Sequence, residues 1–110
     1  MVTVTQFDFG YGPVDAHQHA DGGGWVADTA DVSGAVYIGP DARVSGNARV
    51  SGNARVSGDA WVSDRARVSG NATVFGNALV FGNALVSGDA EVFGDAAVFG
   101  NAEVKNGLVE

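Results

Sequence analysis

From Val26 to Val104 every sixth residue is valine, with Ile38 the one exception. Fourteen aliphatic positions thus stand in strict phase. A period of six is not helical, because 3.6 residues per turn would spread those valines around a cylinder. From Ala42 to Ala102 the residue two before each valine is always alanine, and the residue two after is usually glycine, followed by Asn or Asp. One unit reads Val44-Ser45-Gly46-Asn47-Ala48-Arg49. The Ala-x-Val spacing puts alanine and valine on one face of a short strand, with the flanking residues pointing outward. Gly-Asn or Gly-Asp then supplies a sharp corner, because these residues tolerate positive φ best. Each hexad is a strand plus a corner, and the interior holds little besides Ala and Val.

These columns, held in register over residues 26 to 107, resemble the hexapeptide-repeat family. The resemblance implies an all-β fold, a left-handed parallel β-helix of triangular section with three hexapeptides per coil. Handedness and the triangle come from the resemblance, since the common crossover preference is for the right hand. Fourteen hexads make just under five coils, or about 22 Å of prism at about 4.8 Å per coil. The chain divides into an irregular N-terminal arm or cap, residues 1–25, and the β-helix, residues 26–110. Asp28, Pro40, Asp64 and Asn106 replace the corner glycine. They mark the two ends and one irregular corner in the middle.

With eighteen residues per coil, residues eighteen apart stack on the same side. Trp25, Arg43, Trp61, Leu79 and Ala97 form one outward column; Asp31, Arg49, Arg67, Leu85 and Glu103 form the next; Tyr37, Arg55, Thr73 and Glu91 form the third. Phe75 falls over Phe93, and Phe81 over Phe99. The repeat places Ser and Arg at equivalent positions earlier in the chain, so Phe75, Leu79, Phe81, Leu85, Phe93 and Phe99 together read as an oligomer interface. Members of the resembled family are usually homotrimers with parallel axes, which implies self-association through such a wall. Arg43, Arg49, Arg55, Arg65 and Arg67 all precede Phe75, whereas Asp89, Glu91, Asp95 and Glu103 follow it, so charge varies along the prism axis. The column Trp25, Arg43, Trp61 reads as a structural cation-π stack.

Residues 1–25 lie outside the repeat. An open solenoid end exposes strand edges and core, so the arm is expected to act as a cap or anchor through Phe7, Phe9, Tyr11 and Trp25. His17 and His19 are the only histidines. In an extended strand they face the same way, which makes them the one candidate metal pair, with no other cofactor expected. The opening "DAHQHADGGGWVADTA" resembles that of small hexapeptide-repeat proteins encoded by bacteriophages and prophages. That likeness implies a virion component, such as a capsid decoration protein, contacting a larger assembly through the arm.

A net charge of -7 argues against nucleic acid or an anionic membrane as the main partner. The absence of cysteine removes disulfide and thiolate chemistry. No apolar run is long enough to span a bilayer, and no signal peptide opens the chain, so cytoplasmic synthesis is expected, with assembly into a virion. Seventeen glycines with only two prolines are not collagen-like. The best-known enzymes of the resembled family, acyltransferases and γ-class carbonic anhydrases, carry histidines on or beside the prism. No histidine occurs from residue 20 to 110, so a non-catalytic structural module is expected. An acyltransferase-like or carbonic-anhydrase-like enzyme and a glycan-binding module are the alternatives.

Overall fold

In the computed structural model, residues 6–10, 12–33 and 35–109 are described. They form a parallel β-solenoid of about five coils with a short β-hairpin at its N-terminal end. The described chain measures 47 × 26 × 19 Å.

Three sheets form the three faces. The first contains β1 (Gln6–Asp8), β2 (Pro13–Gln18), β3 (Trp25–Ala27), β6 (Arg43–Val44), β9 (Trp61–Val62), β12 (Leu79–Val80) and β15 (Ala97–Val98) in that spatial order. The second runs through β4 (Asp31–Val32), β7 (Arg49–Val50), β10 (Arg67–Val68), β13 (Leu85–Val86) and β16 (Glu103–Val104). The third runs through β5 (Tyr37–Ile38), β8 (Arg55–Val56), β11 (Thr73–Val74), β14 (Glu91–Val92) and β17 (Leu108–Val109). From β3 to β16 all inter-coil pairs are parallel and in eighteen-residue register, such as Arg49 beside Arg67 and Leu79 beside Ala97. The backbone ladder continues through the corners: the Asn53 N–H donates to the Gly70 carbonyl at 2.8 Å, and the Asn71 N–H to the Gly88 carbonyl at 2.8 Å.

The alanine and valine columns are the core. Val44, Ala48, Val50, Ala54 and the residues in phase with them down to Val92 are fully buried. Val36 occupies an alanine column near the top and is buried too. Interior side chains this small allow the three sheets to come close together, and among the described residues no buried side-chain nitrogen or oxygen lacks a partner.

The corners need left-handed backbone. Gly70 has φ of 67°, and a Cβ placed on it would lie 2.9 Å from the Gly88 nitrogen one coil below. Glycine is therefore required twice, by dihedral and by the closeness of stacked corners. Asp64 takes that role in the irregular corner at φ 59°, the one described non-glycine residue with positive φ. Its carboxylate accepts a hydrogen bond from the Gly82 N–H at 3.1 Å. On the outer side of the corners the side chains stack: the Asn71 amide donates to the Asp89 carboxylate at 3.4 Å, and that of Asn77 to Asp95 at 3.3 Å.

The two ends differ. At the N-terminal end, β2 pairs antiparallel with β3, and β1 with β2, so the arm extends the first sheet of its own chain. The loop after β2 closes over the third face: the Gly24 N–H donates to the Ile38 carbonyl at 2.9 Å and the Ile38 N–H to the Asp21 carbonyl at 3.0 Å. At the other end the repeat runs one strand further than the strict six-residue phase predicts. Glu91 pairs with Leu108 and Val92 with Val109, a register of seventeen that shortens the last corner by one residue. Val109 is thereby brought against the core.

Candidate functional site

The first face is divided into two halves. Its upper coils are covered by the chain's own arm. The first sheet curls over so that Phe7 stacks on Trp25 with ring centroids 4.8 Å apart, and Phe9 meets Phe7 edge-on at 4.7 Å. Phe9 is only 1% exposed and forms a small second core with Ala16 and Ala27, against which Val14, Trp25 and Trp61 pack. The Arg43 guanidinium lies 5.2 Å from the Phe7 ring centroid and 6.0 Å from that of Trp61. The Trp61 indole N–H donates to the Ser45 hydroxyl at 2.7 Å, which makes the 1% exposure of that serine tolerable. The column Trp25, Arg43, Trp61 is thus the floor beneath the arm. Tyr11, expected to join Phe7, Phe9 and Trp25, lies outside the described residues.

Among the described residues the lower coils of the same face carry no such cover. Leu79 is 40% exposed there, with Ala97 beneath it. Phe75 stacks on Phe93 along one corner and Phe81 on Phe99 along the other, each pair at 5.3 Å between centroids and 9° between planes. Phe99 is 57% exposed; Phe75, Phe81 and Phe93 are half-buried. Of the six expected interface residues, Leu79, Phe81 and Phe99 belong to the first face, and Phe75 and Phe93 end third-sheet strands at the corner that face shares with the third. Leu85 lies apart, in a strand of the second sheet. Leu108, which the strict repeat passes over, is 68% exposed at the foot of the third face beneath Glu91. Its signal in the sequence is the Leu-Val pair after Gly107, which repeats Leu79-Val80 and Leu85-Val86.

His17 and His19 are engaged separately. The His17 Nδ1 lies 2.7 Å from the Asp28 carboxylate, and the His19 Nε2 lies 2.7 Å from the Val36 carbonyl oxygen. Both contacts tie the arm to the first coil. Among the described residues no group of three or more His, Cys, Asp or Glu is placed to share a metal ion. Beside the arm a shallow cavity of about 260 Å³ is lined by Phe7, Trp25, Asp41, Arg43 and Asp59.

Residues 42–53, 48–64 and 66–80 match the family described as the YdcK beta solenoid repeat. No curated protein and no solved structure matches the chain. The matched repeats lie in the middle coils, where three parallel sheets enclose a fully buried Ala and Val core. The chain is, on both counts, a β-solenoid repeat protein of the hexapeptide-repeat-like β-helix kind.

Proposed function

We propose that the protein is a non-catalytic structural module that forms a homotrimer with parallel axes and serves as a virion component, such as a capsid decoration protein. The observation that carries the self-association is the lower half of the first face, where Leu79 lies between two stacked phenylalanine pairs. Fully burying a phenylalanine returns about 1.5 to 3 kcal/mol, against an association cost on the order of 4 to 15 kcal/mol. Three of the four rings are already half-buried, so Leu79 and Phe99 supply much of the remaining gain. Because the arm occupies the upper coils, subunit contact is confined to the lower ones.

The virion reading rests on the likeness of the N-terminal segment to phage-encoded hexapeptide-repeat proteins. The arm offers a means of attachment: among the described residues β1 ends the first sheet, and its outer edge there suits strand addition by a larger assembly. Light scattering tests the trimer. Wild-type protein is expected at three times the chain mass and the double variant Phe81→Glu, Phe99→Glu at the chain mass; a monomeric wild type overturns the reading. Detection of the chain in purified particles tests the virion role.

A glycan-binding module is the second reading, favoured by the cavity in which Phe7 and Trp25 stand beside Asp41 and Asp59. An aromatic surface with nearby carboxylates suits sugar rings and their hydroxyls. Thermal shift against a panel of neutral oligosaccharides checks it, with no shift counting against it.

A further inference from the structure

The five arginines differ in what holds them. Arg43 lies over Phe7 and Trp61, and Arg55 lies over Tyr37 at 5.8 Å. Arg49, Arg65 and Arg67 have no ion pair, hydrogen bond or aromatic contact of their side chains among the described residues. All three are exposed. Arg49 and Arg67 are direct neighbours in the second sheet, and Arg65 and Arg67 line one shallow groove of about 450 Å³ with Asn83, Leu85 and Glu103. Like charges directly opposed on neighbouring strands are unfavourable. Here they are assembled in a chain whose net charge is -7, where added cations do not serve solubility.

We propose that the second face is a binding surface for a linear anionic polysaccharide, whose sulfate or carboxylate groups pair with Arg49, Arg67 and Arg65. The guanidinium fork suits bidentate contact with such groups. Ser51 and Ser69, beside the arginines on the same face, offer hydroxyls to sugar oxygens. The basic patch spans two neighbouring coils, about 5 Å apart. Asp31 stands above it and Glu103 below, at the same column of the sheet. A narrow chain laid across the coils of Arg49 and Arg67 meets the arginines along its length and Asp31 and Glu103 only at its margins. A nucleic-acid duplex or a bilayer would extend over the acidic coils, and single-stranded nucleic acid would want aromatic platforms, which the outward columns of this face do not carry.

The test uses the full chain and immobilised heparin as the sulfated probe, with neutral dextran as control. Wild type is expected to bind heparin at low ionic strength and to be released in about 1 M salt, where the screening length is about 3 Å. Arg49→Ser with Arg67→Ser places serine where the repeat elsewhere carries polar residues. That variant is expected to lose affinity about tenfold or more, from two charge-assisted contacts, and Arg55→Ser to stay within about twofold of wild type. Competition by soluble heparin on unmodified protein gives a readout independent of variant folding. No retention of wild type at low salt, equal loss in Arg55→Ser, or preference for duplex DNA or anionic vesicles over heparin each overturns the proposal.

Discussion

Phe7 lies on Trp25 with 4.8 Å between ring centroids and 19° between their planes, although the two residues belong to strands separated by β2 in the same sheet. The contact requires the first sheet to curl over its own outer face. It brings Phe9 into a buried site over Ala16 and Ala27, which makes the arm a packed part of the fold.

Replacing Phe9 by alanine is expected to cost about 3 kcal/mol, the lower part of the range for a buried phenylalanine, because the second core is small. The loss should appear first as local opening of the arm. Tryptophan fluorescence checks this: Trp25 and Trp61 should shift to the red before the far-UV signal of the prism changes.

Gly70→Ala is expected to destabilise by at least the cost of left-handed backbone, about 1 to 2 kcal/mol, with more from the close approach to the Gly88 nitrogen. Asp64→Gly is expected to remain within about 1 kcal/mol of wild type. It relieves the same dihedral cost and gives up the hydrogen bond from the Gly82 N–H, itself about 1 kcal/mol. Denaturant midpoints of the two variants, measured side by side, decide whether corner geometry controls stability.

Val68 is fully buried in the middle coil. Val68→Ala is expected to cost about 2 to 3 kcal/mol, combining about 0.8 kcal/mol per methylene equivalent with a cavity contribution. Val104, only partly buried near the open end, should cost less when truncated in the same way. Equal losses in urea unfolding would contradict a core graded from middle to end.

The proposed association through the lower first face would make thermal stability depend on concentration by mass action. Dilution is expected to lower the melting midpoint of wild type, and Phe81→Glu with Phe99→Glu is expected to remove that dependence. Calorimetry over a range of concentrations reads both.

The arrangement of coils was legible in the sequence because each hexad repeats the same local demand. Ala-x-Val orients two side chains inward, Gly with Asn or Asp turns the backbone, and, with the three hexads per coil that the resemblance implied, eighteen residues return the chain above itself. Register then followed by counting, as Arg49 beside Arg67 and Phe75 over Phe93 show. Where the repeat ceases, counting fails. Val109 reaches the core one residue out of phase because burying it in a shorter corner is better than leaving the lower rung of the third sheet open.

The sequence by itself thus determined the strand-and-corner repeat and its Ala and Val interior, since both are consequences of one period, while the three-sided section and the phenylalanine ladders followed from the three hexads per coil that the resemblance implied. Only the tertiary structure decided that the arm folds onto the upper half of the first face and, among the described residues, leaves the lower half bare. That outcome depends on contacts between aperiodic residues and the prism, such as Phe7 with Trp25 and His19 with the Val36 carbonyl. No spacing encodes contacts of this kind; they form where shape and apolar surface meet in the folded chain.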